Sequence, residues 1–125
     1  MAAGIDILLV DDDADTAAFV SDGCLTMNLR VKAVRDSQRA LVELRRHHDR
    51  YRAVVSDYRL GAVMTGLQFL ERVKELYTDD LQRILYTAED HPCLQQMAKD
   101  AGVQYVHKDP RKMMQSLTQL KQKIA

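Results

Sequence analysis

Carboxylate, hydroxyl and lysine side chains follow short apolar runs at four places in the sequence. They are Asp11, Asp12 and Asp13, then Asp57, Thr87 and Lys108. Carboxylates held close together repel one another, so a hard divalent cation, Mg²⁺ above all, is expected between them. With such a cation bound, one carboxylate can attack phosphorus while the hydroxyl and the lysine hold phosphoryl oxygens. These residue types favour phosphoryl transfer, because that reaction depends mainly on positioning and charge neutralisation.

Each of these side chains also has a purely structural interpretation. The Asp run can cap a helix, and a single Asp57 can belong to a turn. A lone Thr87 or Lys108 indicates little. Their occurrence in order, each after its own apolar run, favours a shared site over coincidence.

The apolar pattern predicts five strands that alternate with five helices. The predicted strands are Ile5–Val10, Arg30–Val34, Ala53–Val55, Ile84–Tyr86 and Val103–His107. Between the strands, apolar residues recur at spacings of three and four, as Ala17, Val20 and Cys24 do, which is typical of one helix face. Ser37 is expected to cap the second helix.

Strand and helix alternation favours an α/β fold with a parallel sheet covered by helices on both faces. The first and third strands are apolar runs suited to central positions, whereas the alternating bases of Arg30–Val34 suit an edge. The predicted architecture is three-layered, doubly wound and flavodoxin-like, with strand order 2-1-3-4-5. In this order the strands that precede the polar groups are neighbours. Since ligands bind outside the carboxyl ends of such strands, the polar side chains should line one pocket.

Composition bounds the function further. The 125 residues include 18 Lys and Arg and 18 Asp and Glu, so the net charge is zero, and the length suits one domain, 1–125. Neutrality argues against a global nucleic-acid footprint, and we expect the base-rich stretch Arg30–Arg52 not to bind DNA specifically. No apolar run approaches the roughly 20 residues that span a bilayer, so no membrane segment is expected. Two cysteines, Cys24 and Cys93, are too few for a disulfide scaffold, which favours a reducing, cytoplasmic location.

At this point the sequence resembles a known family, the receiver domain of bacterial-type response regulators. The segments that carry the resemblance are Leu9–Asp13, Val55–Leu60, Gly66–Leu70, Thr87–Ala88 and Tyr105–Lys108. They are spread over essentially the whole chain. The resemblance implies a phosphorylation-dependent switch in a two-component or phosphorelay system.

The resemblance also implies a role for each site residue. Asp57 is the implied phosphoacceptor, and it binds the metal together with Asp11, Asp12 and the backbone carbonyl of Arg59. The metal is Mg²⁺, with Mn²⁺ as the alternative.

Further roles concern the phosphoryl group and the switch. Thr87 and Lys108 are the implied phosphoryl-binding residues, and Thr87 and Tyr105 are the implied switch pair. Family members often have proline directly after the lysine, where this chain has Asp109, so we predict a trans Lys108–Asp109 bond.

Two rim residues follow from position alone. Arg59 and Glu89 lie two residues after Asp57 and Thr87, so both should stand at the pocket rim. We predict that they pair in some states and hinder the attacking water.

The implied partners are a histidine kinase or histidine phosphotransfer protein, which presents phosphohistidine, and an output domain or downstream protein. The output partner is expected on the face of the fourth helix, fifth strand and fifth helix. The domain is expected to be a monomer or weak dimer. It would catalyse its own phosphorylation and dephosphorylation without being a turnover enzyme.

Three alternatives compete with this interpretation. Asp11-x-Asp13 after a strand resembles the opening of haloacid-dehalogenase-type phosphatases, but Asp15 stands where that motif has Thr or Val, and Asp57 has no role in it. A pseudo-receiver would be a binding module of the same fold that is not phosphorylated. A flavodoxin-like cofactor binder would need a Ser-, Thr- or Gly-rich phosphate loop after the first strand, where this chain has the Asp run.

Overall fold

The computed structural model describes residues 7–61, 63–77, 81–89 and 92–124. The strands are β1 (Ile7–Val10), β2 (Val31–Val34), β3 (Ala53–Ser56), β4 (Gln82–Thr87) and β5 (Gln104–His107). The helices are α1 (Ala14–Thr26), α2 (Ser37–His47), α3 (Gly66–Leu76), α4 (Pro92–Asp100) and α5 (Pro110–Ile124). A short 3-10 turn, His48–Arg50, follows α2. The predicted start of the first strand at Ile5 lies outside the described residues.

All four strand pairings are parallel, and the order is β2-β1-β3-β4-β5, which confirms the predicted fold class and topology. β1 lies between β2 and β3, with Leu9 paired to both Ala33 and Val55. Its four residues are fully buried, as expected of a strand covered on both faces. β2 is the predicted edge strand, and its residues are partly or fully exposed.

The core divides into two clusters, one on each face of the sheet. Leu8 and Val10 of β1 belong to one cluster with buried residues of α2, α3 and α4, among them Phe69. The alternate residues Ile7 and Leu9 pack with α1 and α5, for example against Leu117. Because successive side chains of a strand point to opposite faces, β1 contributes to both helical layers.

Strand and helix limits differ from the sequence prediction in two informative places. β4 begins at Gln82 rather than Ile84, because the backbone of Gln82 and Arg83 continues the pairing with Ala53 and Val54 whatever the polarity of their side chains. The cap of α2 is Asp36 rather than Ser37, since the Asp36 carboxylate accepts the Arg39 N–H.

Within the described ranges, no helix combines the length and the apolar character that a membrane crossing requires.

Candidate functional site

Parallel pairing brings the first and third strand ends side by side. Val10 pairs with Ser56, and the Asp57 N–H donates to the Val10 carbonyl at 3.0 Å, so Asp11 and Asp57 emerge together. Asp11, Asp12 and Asp57 each offer a carboxylate oxygen within 4.8 Å of the others. The structure therefore assembles the carboxylate cluster that the sequence predicts at the switch point between β1 and β3.

Asp13 has a different task from its two neighbours. Its Oδ1 accepts the Asp15 N–H at 3.1 Å and its Oδ2 accepts the Thr16 hydroxyl at 2.8 Å, so it is the N-cap of α1. These hydrogen bonds, that of Thr16 first, lower the pKa of the Asp13 carboxyl. The cap interpretation of the Asp run is therefore confirmed for Asp13, whereas Asp11 and Asp12 belong to the carboxylate cluster.

Lys108 joins the cluster from the end of β5. Its Nζ lies 3.2 Å from Asp57 Oδ2 and 3.3 Å from Asp11 Oδ2. Its backbone N–H donates to the Thr87 carbonyl at 2.8 Å, which extends the β4–β5 pairing to the pocket. Burial alone lowers the pKa of the ammonium, but the charges of Asp57 and Asp11 outweigh burial, so the pKa lies above its ordinary value.

Asp11 is the most enclosed of the three carboxylates, with 4% of its surface exposed. Its Oδ1 accepts the Asp13 N–H at 2.9 Å. Its Oδ2 is buried and receives no hydrogen bond from the described residues, although the Lys108 ammonium lies near it. Burial raises the pKa of the Asp11 carboxyl, and the Asp13 N–H and Lys108 offset this only in part.

The Lys108 ammonium supplies one positive charge to this buried oxygen, but a single ammonium does not balance three clustered carboxylates, so a further cation would stabilise them. Asp12 is exposed and so is open to a hydrated ion, and oxygen-only donors suit Mg²⁺, which keeps several waters. The three carboxylates therefore fit a hard divalent cation.

Thr87 ends β4 and is almost fully buried, at 1% exposure. Its Oγ1 accepts the Glu89 N–H at 3.1 Å. The Tyr105 ring is half-buried, packs against the core and donates its hydroxyl to the Glu89 carbonyl. The two predicted switch residues are therefore connected through the backbone of Glu89, a link that the sequence did not show.

The Arg59 and Glu89 side chains form the ion pair expected from their positions. Both Nε and a terminal nitrogen of the guanidinium contact Glu89 Oε1. The pair bridges the loops after β3 and β4, with 76% of the Arg59 side chain exposed and 26% of that of Glu89. The effect of this ion pair on hydrolysis stays a prediction. So does the role of the Arg59 backbone carbonyl as a metal ligand.

Gly66 supports the site in a way that the sequence pattern did not reveal. A Cβ at this position would lie 1.8 Å from the Asp57 carbonyl oxygen and 2.9 Å from Ser56 Oγ. The Gly66 N–H donates to the Tyr58 carbonyl at 2.7 Å, and Ser56 Oγ donates to the Asp57 carbonyl at 2.8 Å. The start of α3 thus packs directly on the backbone of Asp57.

The Lys108–Asp109 bond is trans, as predicted, since no cis peptide occurs among the described residues. Asp109 N–H donates to the His107 carbonyl at 2.7 Å, and its carboxylate accepts the Arg111 N–H at 2.8 Å. The loop after Lys108 is therefore tied down by local hydrogen bonds.

Comparisons with solved structures agree with the fold described above. The chain is similar to the chemotaxis response regulator CheY4 of Vibrio cholerae, with 24% identity and a TM-score of 0.79 over 94% of this chain and 99% of that one. It is similar to the signal receiver domain of an HD domain-containing protein from Pseudomonas fluorescens Pf-5, with 24% identity and a TM-score of 0.82 over 98% and 90% of the two chains. The beryllofluoride-activated DrrB receiver domain has 22% identity and a TM-score of 0.79 over 95% and 98%.

The sequence itself matches the family model of the response regulator receiver domain over residues 7–119. No curated protein was found to match it. The chain belongs to the response regulator receiver domain family, whose place is in two-component signalling.

Proposed function

We propose that this chain accepts a phosphoryl group on Asp57 from a phosphohistidine and thereby switches a partner-binding face. The observation that supports this best is the position of Lys108 Nζ, within 3.3 Å of carboxylate oxygens of both Asp11 and Asp57. An ammonium so placed pairs with the carboxylates before transfer and with a phosphoryl oxygen after it. We take 1–125 as a single receiver domain.

In the proposed step, an Asp57 carboxylate oxygen attacks phosphorus in line with the bond to the imidazole nitrogen of the donor. An O–P bond forms, the P–N bond breaks, and the imidazole leaves with the electron pair and takes up a proton. Asp11, Asp12 and Asp57 would hold Mg²⁺, or Mn²⁺ as the alternative, which supplies charge neutralisation when bound. Lys108 and the Thr87 hydroxyl hold phosphoryl oxygens, and water later hydrolyses the acyl phosphate.

The signal leaves the site through Thr87, Glu89 and Tyr105. When the Thr87 hydroxyl turns towards the phosphoryl group, it gives up the hydrogen bond from the Glu89 N–H and donates to a phosphoryl oxygen instead. The loop at Glu89 then shifts, and Tyr105 moves with it because its hydroxyl is bonded to the Glu89 carbonyl. The result is a change in population between two forms of the face made by α4, β5 and α5. The donor is a histidine kinase or histidine phosphotransfer protein, and the location is cytoplasmic.

The test is intact-mass measurement after incubation with acetyl phosphate or phosphoramidate, with and without Mg²⁺. We expect one phosphoryl adduct that needs the cation and is lost in Asp57→Asn. Asp13→Asn is the matched control, because it makes the same chemical change at the residue that caps α1. An adduct that persists in Asp57→Asn would place the chemistry elsewhere.

The same samples discriminate the alternatives. A haloacid-dehalogenase-type phosphatase would turn over a chromogenic phosphomonoester, and it would need Asp13 free, whereas both Asp13 carboxylate oxygens accept hydrogen bonds in α1. A pseudo-receiver would give no adduct. Asp12→Ala should weaken Mg²⁺ binding by calorimetry, and unaltered affinity would remove Asp12 from the metal site.

A further inference from the structure

A large cleft lies at the end of the sheet opposite the carboxylate cluster, where β3, β4 and β5 begin. Its volume is about 1010 Å³. Arg52 precedes β3, Arg83 lies in β4, Lys99 lies in α4 and Lys123 lies near the end of α5, and all four line the cleft. Four segments distant in sequence, three of them regular elements, thus contribute one base each.

The cleft is strongly one-sided in charge. Among the described residues that line it there are four bases and no acid, although the whole chain is neutral. Leu81 and Val103 are the aliphatic residues of this lining, and glutamines fill much of the rest. A concave surface lined by one sign of charge concentrates ligands of the opposite sign.

Of the four bases, Arg83 would gain most from pairing with an anion. It is partly buried, its Nε is buried without a hydrogen-bond partner among the described residues, and a terminal nitrogen reaches the Gly102 carbonyl at 3.5 Å. Burial lowers the pKa of this guanidinium. A cation withdrawn from water without a carboxylate is costly, so an incoming anion would gain from pairing with it.

The cleft continues into a groove of about 380 Å³ between α4, β5 and α5. The two share Gln95, Gln104 and Tyr105. Lys112 adds a further base in the groove, and its described lining again contains no acid. The cleft and the groove therefore form one continuous basic surface on the face proposed above for the output partner.

We propose that this basic surface binds an acidic segment of a partner polypeptide, with carboxylates of the partner on Arg83, Lys99 and Lys123. Small-molecule sites are mostly apolar and have volumes of roughly 300–1,000 Å³, whereas this surface is larger and polar. A symmetric dimer through the surface would bring like charges together, so a second copy is disfavoured. That this basic surface is where the output partner binds rests on the proposed function. That its charge is complementary to an acidic segment does not.

The probe is a fluorescent twelve-residue peptide of alternating Glu and Ala, with a matched peptide of Gln and Ala. Anisotropy with the full chain at low salt should show binding of the Glu peptide, weakened by added salt, and at least about fivefold weaker binding of the Gln peptide. Amide shift changes should lie on residues 81–83, 95–107 and 123. Equal binding of both peptides, no binding, or shifts elsewhere would overturn the proposal.

Variants locate the binding charge. The double variant Lys99→Gln with Lys123→Gln should bind the Glu peptide about fivefold more weakly than the wild type. The control, Arg45→Gln with Arg46→Gln, makes an equal charge change on exposed α2 residues and should leave the affinity unchanged. Arg83→Gln should weaken binding of the Glu peptide without lowering the melting temperature, since it removes a partly buried charge that has no acidic partner among the described residues. A lowered melting temperature in Arg83→Gln together with unchanged affinity would show a structural arginine and contradict the proposal.

Two competing explanations are separated in the same assay. Asp79 and Asp80 precede Leu81 in the sequence and lie outside the described residues. If the wild type does not bind the Glu peptide but the double variant Asp79→Asn with Asp80→Asn does, these two carboxylates neutralise the bases of the cleft. The proposal would then be wrong. Pyrophosphate that displaces the peptide at stoichiometric concentration would indicate a small-anion site and overturn it as well. The peptide assays contain no phosphoryl donor, so a failure of phosphorylation and a failure of this surface give different results.

Discussion

The Tyr105 hydroxyl donates a hydrogen bond to the backbone carbonyl of Glu89. The N–H of the same Glu89 donates to Thr87 Oγ1, and its carboxylate pairs with Arg59. Three groups around the carboxylate cluster, namely Tyr105, Thr87 and Arg59, are therefore held by one loop residue. A displacement of Thr87 can reach Tyr105 by moving Glu89, without direct contact between the two side chains.

Tyr105→Phe tests this connection. Deleting the hydroxyl removes the bond to Glu89, and we expect a loss of about 0.5–1.5 kcal/mol in unfolding free energy. Amide shifts caused by beryllofluoride should spread over residues 88–110 in the wild type and should be confined near Asp57 in the variant. Tyr77→Phe is the control for hydroxyl deletion. An unchanged shift pattern in Tyr105→Phe would show that the signal takes another route.

Arg59→Ala should shorten the lifetime of the aspartyl phosphate if, as we propose, the ion pair with Glu89 screens the pocket rim from water. Stability should change by only about 0–1 kcal/mol, since the guanidinium is largely exposed. The lifetime is followed as decay of the phosphorylated mass. Arg72→Ala removes a comparable exposed pair with Glu75 on α3 and should leave the lifetime as it is. Equal lifetimes in wild type and Arg59→Ala would refute the screening role.

Gly66→Ala should both destabilise the protein and slow phosphorylation, because the new Cβ meets the Asp57 carbonyl, which is backbone and cannot turn aside. We expect a loss of about 1–3 kcal/mol, as for other overpacked sites. Gly61→Ala is the control: Gly61 has φ +95° but open space around it, so that substitution strains the backbone without touching Asp57. Denaturant unfolding and the rate of adduct formation measure both effects. A Gly66→Ala protein with normal phosphorylation would show that Asp57 tolerates displacement.

Tyr51 predicts a loss of stability at alkaline pH. Burial first, and then the hydrogen bond to Glu43, raise the pKa of its phenol in the folded protein. The fold thus favours the neutral phenol, so this stabilisation is complete below the unfolded pKa of about 10 and is lost as the pH rises above it. Unfolding free energies from pH 7 to 11 should fall less steeply in Tyr51→Phe. Glu43→Gln, which keeps an acceptor but removes its charge, should give an intermediate slope, and identical slopes in all three proteins would contradict the assignment.

Sequence alone determined the order of elements and most of the carboxylate cluster. The buried run Ile7–Val10, the alternating edge strand and the helical spacing are each visible in the local pattern of apolar residues. In a parallel sheet, the residues that follow the strands lie together at the carboxyl end of the sheet. Asp11, Asp57 and Lys108 could therefore be placed together although Asp57 and Lys108 are 51 residues apart. Only the end of each strand had to be known, not its exact register.

Tertiary structure decided what depends on register and loop geometry. It assigned Asp13 to the helix cap and its neighbours to the pocket, and it placed Gly66 on the Asp57 carbonyl. It also made Glu89 the link between Thr87 and Tyr105. These contacts form over a few ångströms between loops whose paths no hydrophobic period encodes.

The basic cleft shows the same limit most clearly. Arg52, Arg83, Lys99 and Lys123 belong to separate stretches, and each by itself resembles an ordinary solvated base in the sequence. They meet because the amino ends of parallel strands lie together at one end of the sheet, as the carboxyl ends do at the other. The sequence determined that such an edge exists, but only the packing of α4 and α5 against it decided which charges face one another.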